Sequence, residues 1–109
     1  MLDYSKEVKE LIKENIKHGF YYGKSIDYLS FRLGITKQEM EEELLNCLNL
    51  EFTVKQFRGG EVRYVLYFVY SRNSGRAYVI TFREGIRIIT AYPLGKKTLK
   101  KYHKKGLKT

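Results

Sequence analysis

Val62–Pro93 reads V-R-Y-V-L-Y-F-V-Y (62–70), S-R-N-S-G (71–75), R-A-Y-V-I-T-F-R (76–83), E-G (84–85) and I-R-I-I-T-A-Y-P (86–93). β-Branched and aromatic residues fill the long runs, and Ser, Asn and Gly interrupt them. That is the pattern of three antiparallel strands joined by two tight turns. Along the first run, Val62, Tyr64, Leu66, Phe68 and Tyr70 share one face, while Arg63, Val65, Tyr67 and Val69 share the other. Along the second, Tyr78, Ile80 and Phe82 oppose Ala77, Val79, Thr81 and Arg83. Both faces are apolar in the middle, which marks central strands with one face beneath helices. Leu50–Phe57 alternates well enough for a further strand ahead of them, and R-G-G-E (58–61) supplies its hairpin turn. Pro93, the single proline, ends the last strand.

Residues 1–49 carry helical spacing instead. Ser5 can cap a first helix with Val8, Leu11, Ile12 and Ile16 on one face, stopped by Gly19 after Lys17 and His18. F-Y-Y-G (20–23) reads as a link to a second helix, capped by Ser25, bearing Ile26, Leu29 and Leu33 and closed by Gly34. Thr36-Lys37-Gln38-Glu39 then spells a capping box, with Ile35 and Met40 as its hydrophobic staple. Met40, Leu44, Leu45 and Leu48 continue the apolar face of this third helix. Helix, L-G-I-T, helix also has the form of a helix-turn-helix, whose second helix enters the major groove. Glu39, Glu41, Glu42 and Glu43 against Lys37 alone would be repelled there, so a packing-only helical hairpin is the better reading.

The expected architecture is α+β. A single domain, 1–109, has a helical layer (1–49) packed on one face of a four-stranded antiparallel sheet (50–93), followed by a short basic tail (94–109). The net charge of +9 is divided unevenly. Residues 1–50 hold seven Lys/Arg against nine Asp/Glu, and residues 51–109 hold fourteen against Glu51, Glu61 and Glu84. A strongly basic second half implies a polyanionic partner. Abundant Lys, Glu, Ile and Tyr with only Gln38 and Gln56 matches thermophile composition. No apolar run reaches the ~18 residues of a membrane span. The N-terminus M-L-D-Y-S-K-E-V lacks a basic-then-apolar leader, so an intracellular, cytoplasmic protein is expected. Cys47 is the only cysteine and reads as a buried, inert thiol. With no P-loop, no G-x-G-x-x-G and no dense His/Cys or Asp/Glu group, neither cofactor nor metal is expected.

Candidate binding residues follow the charge. Arg63, Arg83 and Arg87 fall near one end of the meander, and Arg72 and Arg76 fall in the turn at the other. Each guanidinium can hold phosphate oxygens bidentately, or can pair with Glu61 and Glu84 at the first of those ends. Beyond Pro93 lie seven lysines, among them Lys96, Lys97, Lys100 and Lys101. Leu99 with Tyr102 can dock one short helical turn, and the remainder reads as a tail that binds nucleic acid through counterion release. Tyr102 and His103 are the tail residues able to move a proton or stack on a base.

The run G-R-A-Y-V-I-T-F-R-E-G-I-R-I-I-T-A-Y-P (75–93), followed by K-K-Y (100–102), resembles the C-terminal half of RelE-like toxins of the barnase–colicin–RelE superfold. It is most similar to a small-domain group whose last strand ends in I-T-A-Y-P. L-S-F-R-L-G-I-T-K-Q-E-M-E-E-E-L (29–44) is similar to that group's arginine, glycine, isoleucine and Ser/Thr helix start, so the resemblance covers roughly residues 25–102. It implies a metal-independent endoribonuclease of a toxin–antitoxin pair, acting on RNA (ribosome-bound mRNA included) and neutralised by an acidic antitoxin. It also implies that RNA lies on the sheet face opposite the helices. The matching working residues are Arg63, Arg83 and Arg87, with Tyr92, Tyr102 and His103. The histidine that often opens the helical motif is absent, with Tyr28 nearby instead.

Metal-free cleavage by the 2′-hydroxyl needs a base, cationic donors for the pentacovalent phosphate and an acid for the leaving 5′-oxygen. Arginine is too basic to be the base and acts as the clamp. His103, a tyrosine or a lysine is left to shuttle protons. Two other readings stand beside this one: a non-enzymatic winged-helix DNA-binding protein with the 50–71 hairpin as wing, and an inactive RNA-binding relative.

Overall fold

The computed structural model describes residues 2–105, with side chains through Lys100. In chain order the elements are α1 (Ser5–Asn15), β1 (Phe20–Tyr22), α2 (Ile26–Leu33), α3 (Lys37–Asn46), β2 (Leu50–Arg58), β3 (Glu61–Ser71), β4 (Ser74–Phe82), β5 (Ile86–Pro93) and α4 (Lys96–Lys105), with a 3-10 turn at Ile16–His18. The capping box forms: Thr36 Oγ1 accepts from the Glu39 N–H, and Glu39 Oε1 accepts from the Thr36 N–H, each at 3.0 Å. Ser5 is not the cap of α1. The cap position is Tyr4, with no side-chain cap bond, and Asp3 just before it accepts through Oδ1 from the Ser5 N–H at 3.0 Å and the Ser5 hydroxyl at 2.7 Å. Cys47, at φ 53°, ends α3 at Asn46, two residues short of the Leu48 that the apolar spacing includes. The apolar stripe of α3 is therefore Met40, Leu44 and Cys47, and Leu45 and Leu48 are exposed. Burial raises the Cys47 thiol's pKa, and its Sγ donates to the Leu44 carbonyl at 3.0 Å.

The class is α+β, as expected, but the sheet is five-stranded and mixed, in the order β1-β5-β4-β3-β2. The meander pairs antiparallel throughout. The extra strand is the F-Y-Y segment expected to be a link. It pairs parallel to β5, with Phe20, Tyr21 and Tyr22 opposite Ile86, Arg87 and Ile88. Backbone bonds from the Ile86 N–H to the Gly19 carbonyl (3.0 Å) and from the Gly23 N–H to the Ile88 carbonyl (2.9 Å) fix both of its ends. Three residues show too little alternation to announce a strand, and the partner lies more than sixty residues downstream. At the opposite edge the Tyr4 N–H donates to the Thr53 carbonyl (3.0 Å), and the Thr53 N–H donates to Asp3 Oδ1 (3.1 Å).

The two faces of the sheet are both covered, unequally. On one, Val8 and Ile12 of α1, Ile26 of α2 and Met40 and Leu44 of α3 pack on Tyr64, Leu66, Phe68, Tyr78, Ile80, Ile86, Ile88 and Ala91. Each such large apolar side chain contributes roughly 1.5–3 kcal/mol on burial. On the other, Leu94 and Leu99 pack on Val65 and Ala77, with Val54, Tyr67, Val69 and Val79 around them. The segment after Pro93 is thus not a tail at its start. It is a helix docked on the sheet, with Leu99 fully buried. Gly75 makes the docking possible, because a Cβ there would stand 2.8 Å from Leu99 Cδ2, 2.8 Å from the Phe68 carbonyl oxygen and 2.9 Å from Leu94 Cδ1. Among the described residues no helix is long and apolar enough to cross a membrane.

Candidate nucleic-acid interface

α4 leaves part of its face open, and the strand register orders what remains into rows. Tyr67, Ala77 and Tyr92 lie side by side on β3, β4 and β5. The small Ala77 lets the two flanking phenols reach each other. Burial and the Tyr67 hydroxyl push the Tyr92 pKa up to about 12, so the phenol is protonated at neutral pH. The next row holds Val65, Val79 and Thr90. Beyond it Thr81 sits between Arg63, which precedes the Tyr64–Ile80 pair on β3, and Arg87 on β5, with Tyr21 of β1 beside Arg87. Thr81 is buried and spends its hydroxyl on the Val62 carbonyl at 2.8 Å.

The β4–β5 turn shapes this end. Glu84 and Gly85 both take positive φ, 53° and 140°. A Cβ on Gly85 would stand 2.4 Å from the Tyr21 ring, so only glycine lets Tyr21 lie across the turn. The result is an open cleft of about 640 Å³ lined by Tyr21, Tyr22, Arg83, Glu84 and Arg87. Arg83 and Arg87 are exposed. Neither is among the ion pairs of the described residues, and Glu84 pairs with neither. Two guanidiniums in one cleft with a phenol edge have the chemistry to hold a phosphate bidentately and to stack on a base.

The other expected site residues distribute as follows. Arg63 is on the open face but is held by Glu61, Nε to Oε2 at 3.0 Å. Arg76 is not in the turn, because β4 begins at Ser74. Its position in the strand points it to the helix side, where its Nη1 meets Glu43 Oε1 at 2.9 Å. Glu43 also accepts from Tyr78 at 2.5 Å and from Tyr70. Burial and this carboxylate push both phenols' pKa values up, so Arg76 belongs to a structural network under α3. Tyr92 shares a face with Arg87 but lies two rows away: four residues of β4, about 13 Å. Arg72, Lys96 and Lys100 line a separate hollow with Asn73, and Lys97 is exposed on α4. The side chains of Lys101, Tyr102 and His103 lie outside the described residues. Sequence reasoning passed over Tyr21 and Tyr22, whose only signal was the glycine-flanked aromatic triplet 20–22. Among the described residues no three His, Cys, Asp or Glu side chains gather as a metal group. Comparison of the chain with protein-family models, with curated proteins and with solved structures finds no match.

Proposed function

We propose that this protein is a RelE-like RNA-directed protein, a metal-independent endoribonuclease whose phosphate clamp is Arg83 and Arg87. The observation that carries the reading is that two arginines, in no ion pair among the described residues, share an open cleft with Tyr21 and with Glu84, which pairs with neither. The other face of the sheet is covered by α1, α2 and the acidic α3. In this mechanism the clamp binds the phosphate and stabilises charge as the 2′-oxygen attacks. A protonated tyrosine donates a hydrogen bond to the strand. A proton-shuttling side chain, with His103 and Tyr102 as candidates, takes the 2′-hydroxyl proton and returns it to the 5′-oxygen as the P–O5′ bond breaks, leaving a 2′,3′-cyclic phosphate. The winged-helix reading gains nothing from the geometry. The 50–71 hairpin is hydrogen-bonded into the sheet through β4, and Glu43 of α3 is bound to Arg76.

The test is incubation of the purified chain with RNA in EDTA, with binding measured in parallel. Cleavage that falls about 100-fold with Arg83→Ala or Arg87→Ala, as for loss of an oxyanion donor, supports the enzymatic reading. Binding without cleavage assigns the chain to the inactive relatives. Cleavage indifferent to both substitutions, or neither cleavage nor binding, refutes the proposal.

A further inference from the structure

We propose that Arg72, Asn73, Lys96 and Lys100 form a second phosphate-holding site, and that single-stranded RNA lies lengthwise along the open sheet face between it and the Arg83/Arg87 cleft. This rests on the RNA reading above and adds where the strand runs and how much of it is held.

The second site is a hollow of about 430 Å³ built from two elements, the β3–β4 turn and α4. Lys96 and Lys100 are four residues apart on α4 and so project from one side of the helix. Arg72 faces them from the turn. Among the described residues no carboxylate lines the hollow, and none of the three cations is in an ion pair. Three like charges gathered without a counter-charge repel one another until an anion enters. They are also not on a loose tail. Buried Leu94 and Leu99 fix α4 to the sheet, so the cations hold a set position relative to the Arg83/Arg87 cleft.

The two basic sites stand at opposite ends of β4, whose nine residues span about 30 Å. The surface between them is not a phosphate surface. It presents the Tyr92 ring, 39% exposed, with half-buried Val79 and Thr90. Tyr21, 47% exposed, stands at the far end. Aromatic and apolar groups between two cationic anchors suit bases turned onto the protein while the backbone is gripped at each end, which a stacked duplex cannot offer. Occupying both anchors with one strand makes the second contact intramolecular and raises affinity once the strand is long enough to span them.

Fluorescence anisotropy with 5′-labelled oligouridines tests this. The wild-type chain binds a strand of about 10 nucleotides at least tenfold more tightly than one of about 3, and more tightly than a duplex of equal length. Arg72→Ser with Lys100→Ser reduces affinity for the long strand about tenfold and lowers the slope of log K against log salt by about 1.4, near 0.7 for each lost contact on a single strand. Both side chains are exposed, so thermal unfolding of this variant checks that the fold is unchanged. RNA binding that is independent of strand length, a salt slope unmoved in the double variant, or preference for the duplex overturns the two-anchor inference and leaves the RNA reading standing. Absence of RNA binding by the wild-type chain overturns both.

Discussion

Replacing Gly75 with alanine separates the docking of α4 from the stability of the sheet. The added Cβ would meet two leucine methyls at 2.8 and 2.9 Å and the Phe68 carbonyl oxygen at 2.8 Å. The methyls can swing away, but the carbonyl is fixed in the paired strand. Overpacking of this kind costs roughly 1–3 kcal/mol, offset by the ~0.5–1 kcal/mol that glycine loses to alanine in a strand interior. The net effect is about 1–2 kcal/mol, concentrated where Leu94 and Leu99 sit. Their burial contributes roughly 3–6 kcal/mol to holding α4, so the helix stays mostly docked but opens about tenfold more often, at 1.4 kcal/mol per factor of ten. Hydrogen exchange read by mass spectrometry over 94–105 should show that loss of protection, while peptides from 62–70 remain protected. A double-mutant cycle sharpens it: Leu99→Ala costs about 2–5 kcal/mol alone and distinctly less in the Gly75→Ala background, because the clash it relieves is then present. Unchanged protection over α4, together with additive costs in the cycle, refutes the close-approach argument.

Three further outcomes are expected. Glu43→Gln leaves Arg76 charged and unpaired at a site where both side chains are less than one-fifth exposed. It should cost about 2–3 kcal/mol in urea unfolding, and adding Arg76→Met should recover more than half of that; an equal loss in the double variant argues against the network. Tyrosine is uncharged when protonated, and the fold raises the pKa of Tyr64 (through burial, then the Glu7 hydrogen bond) and of Tyr92 from 10 to about 12. The native state therefore retains protons that the unfolded chain releases, and stability falls as pH rises through 10–12. Absorbance titration should show a subset of the ten tyrosines ionising late or only with loss of circular dichroism, and uniform titration near pH 10 in a folded protein contradicts it. Thr36→Ala removes one half of the capping box and should lower the unfolding free energy by about 1 kcal/mol, read as a shifted denaturant midpoint at constant slope.

Much of this fold was legible because its signals are local. The capping box at Thr36–Glu39 and the alternation along 62–70 and 76–83 each encode an element within a dozen residues. What was hidden depends on distant pairing or on register. Phe20–Tyr22 becomes a strand only because β5 arrives beside it, and that pairing also delivers Tyr21 to Arg87. Arg76 was grouped with Arg72 by proximity in sequence. A shift of where β4 begins put it on the opposite side of the sheet, since side chains alternate with every residue. Arg83 and Arg87 fall together because the turn between them is short, whereas the five residues from Arg87 to Tyr92 span two rows of the sheet.

The residues flanking α1 have a role beyond completing hydrogen bonds. Asp3 and Tyr4 bond to β2 at one margin of the sheet, and Phe20–Gly23 bond to β5 at the other. One amphipathic helix with two short arms therefore brackets a sheet of apolar strands whose free margins would otherwise template pairing with other chains. β5, with I-I-T-A-Y at its centre, is the strand most in need of that shield. Because this bracket lies ahead of the strands in the chain, it leaves the ribosome first. Each margin then has its guard within reach as soon as it forms, which shortens the interval during which partly folded molecules can add to one another.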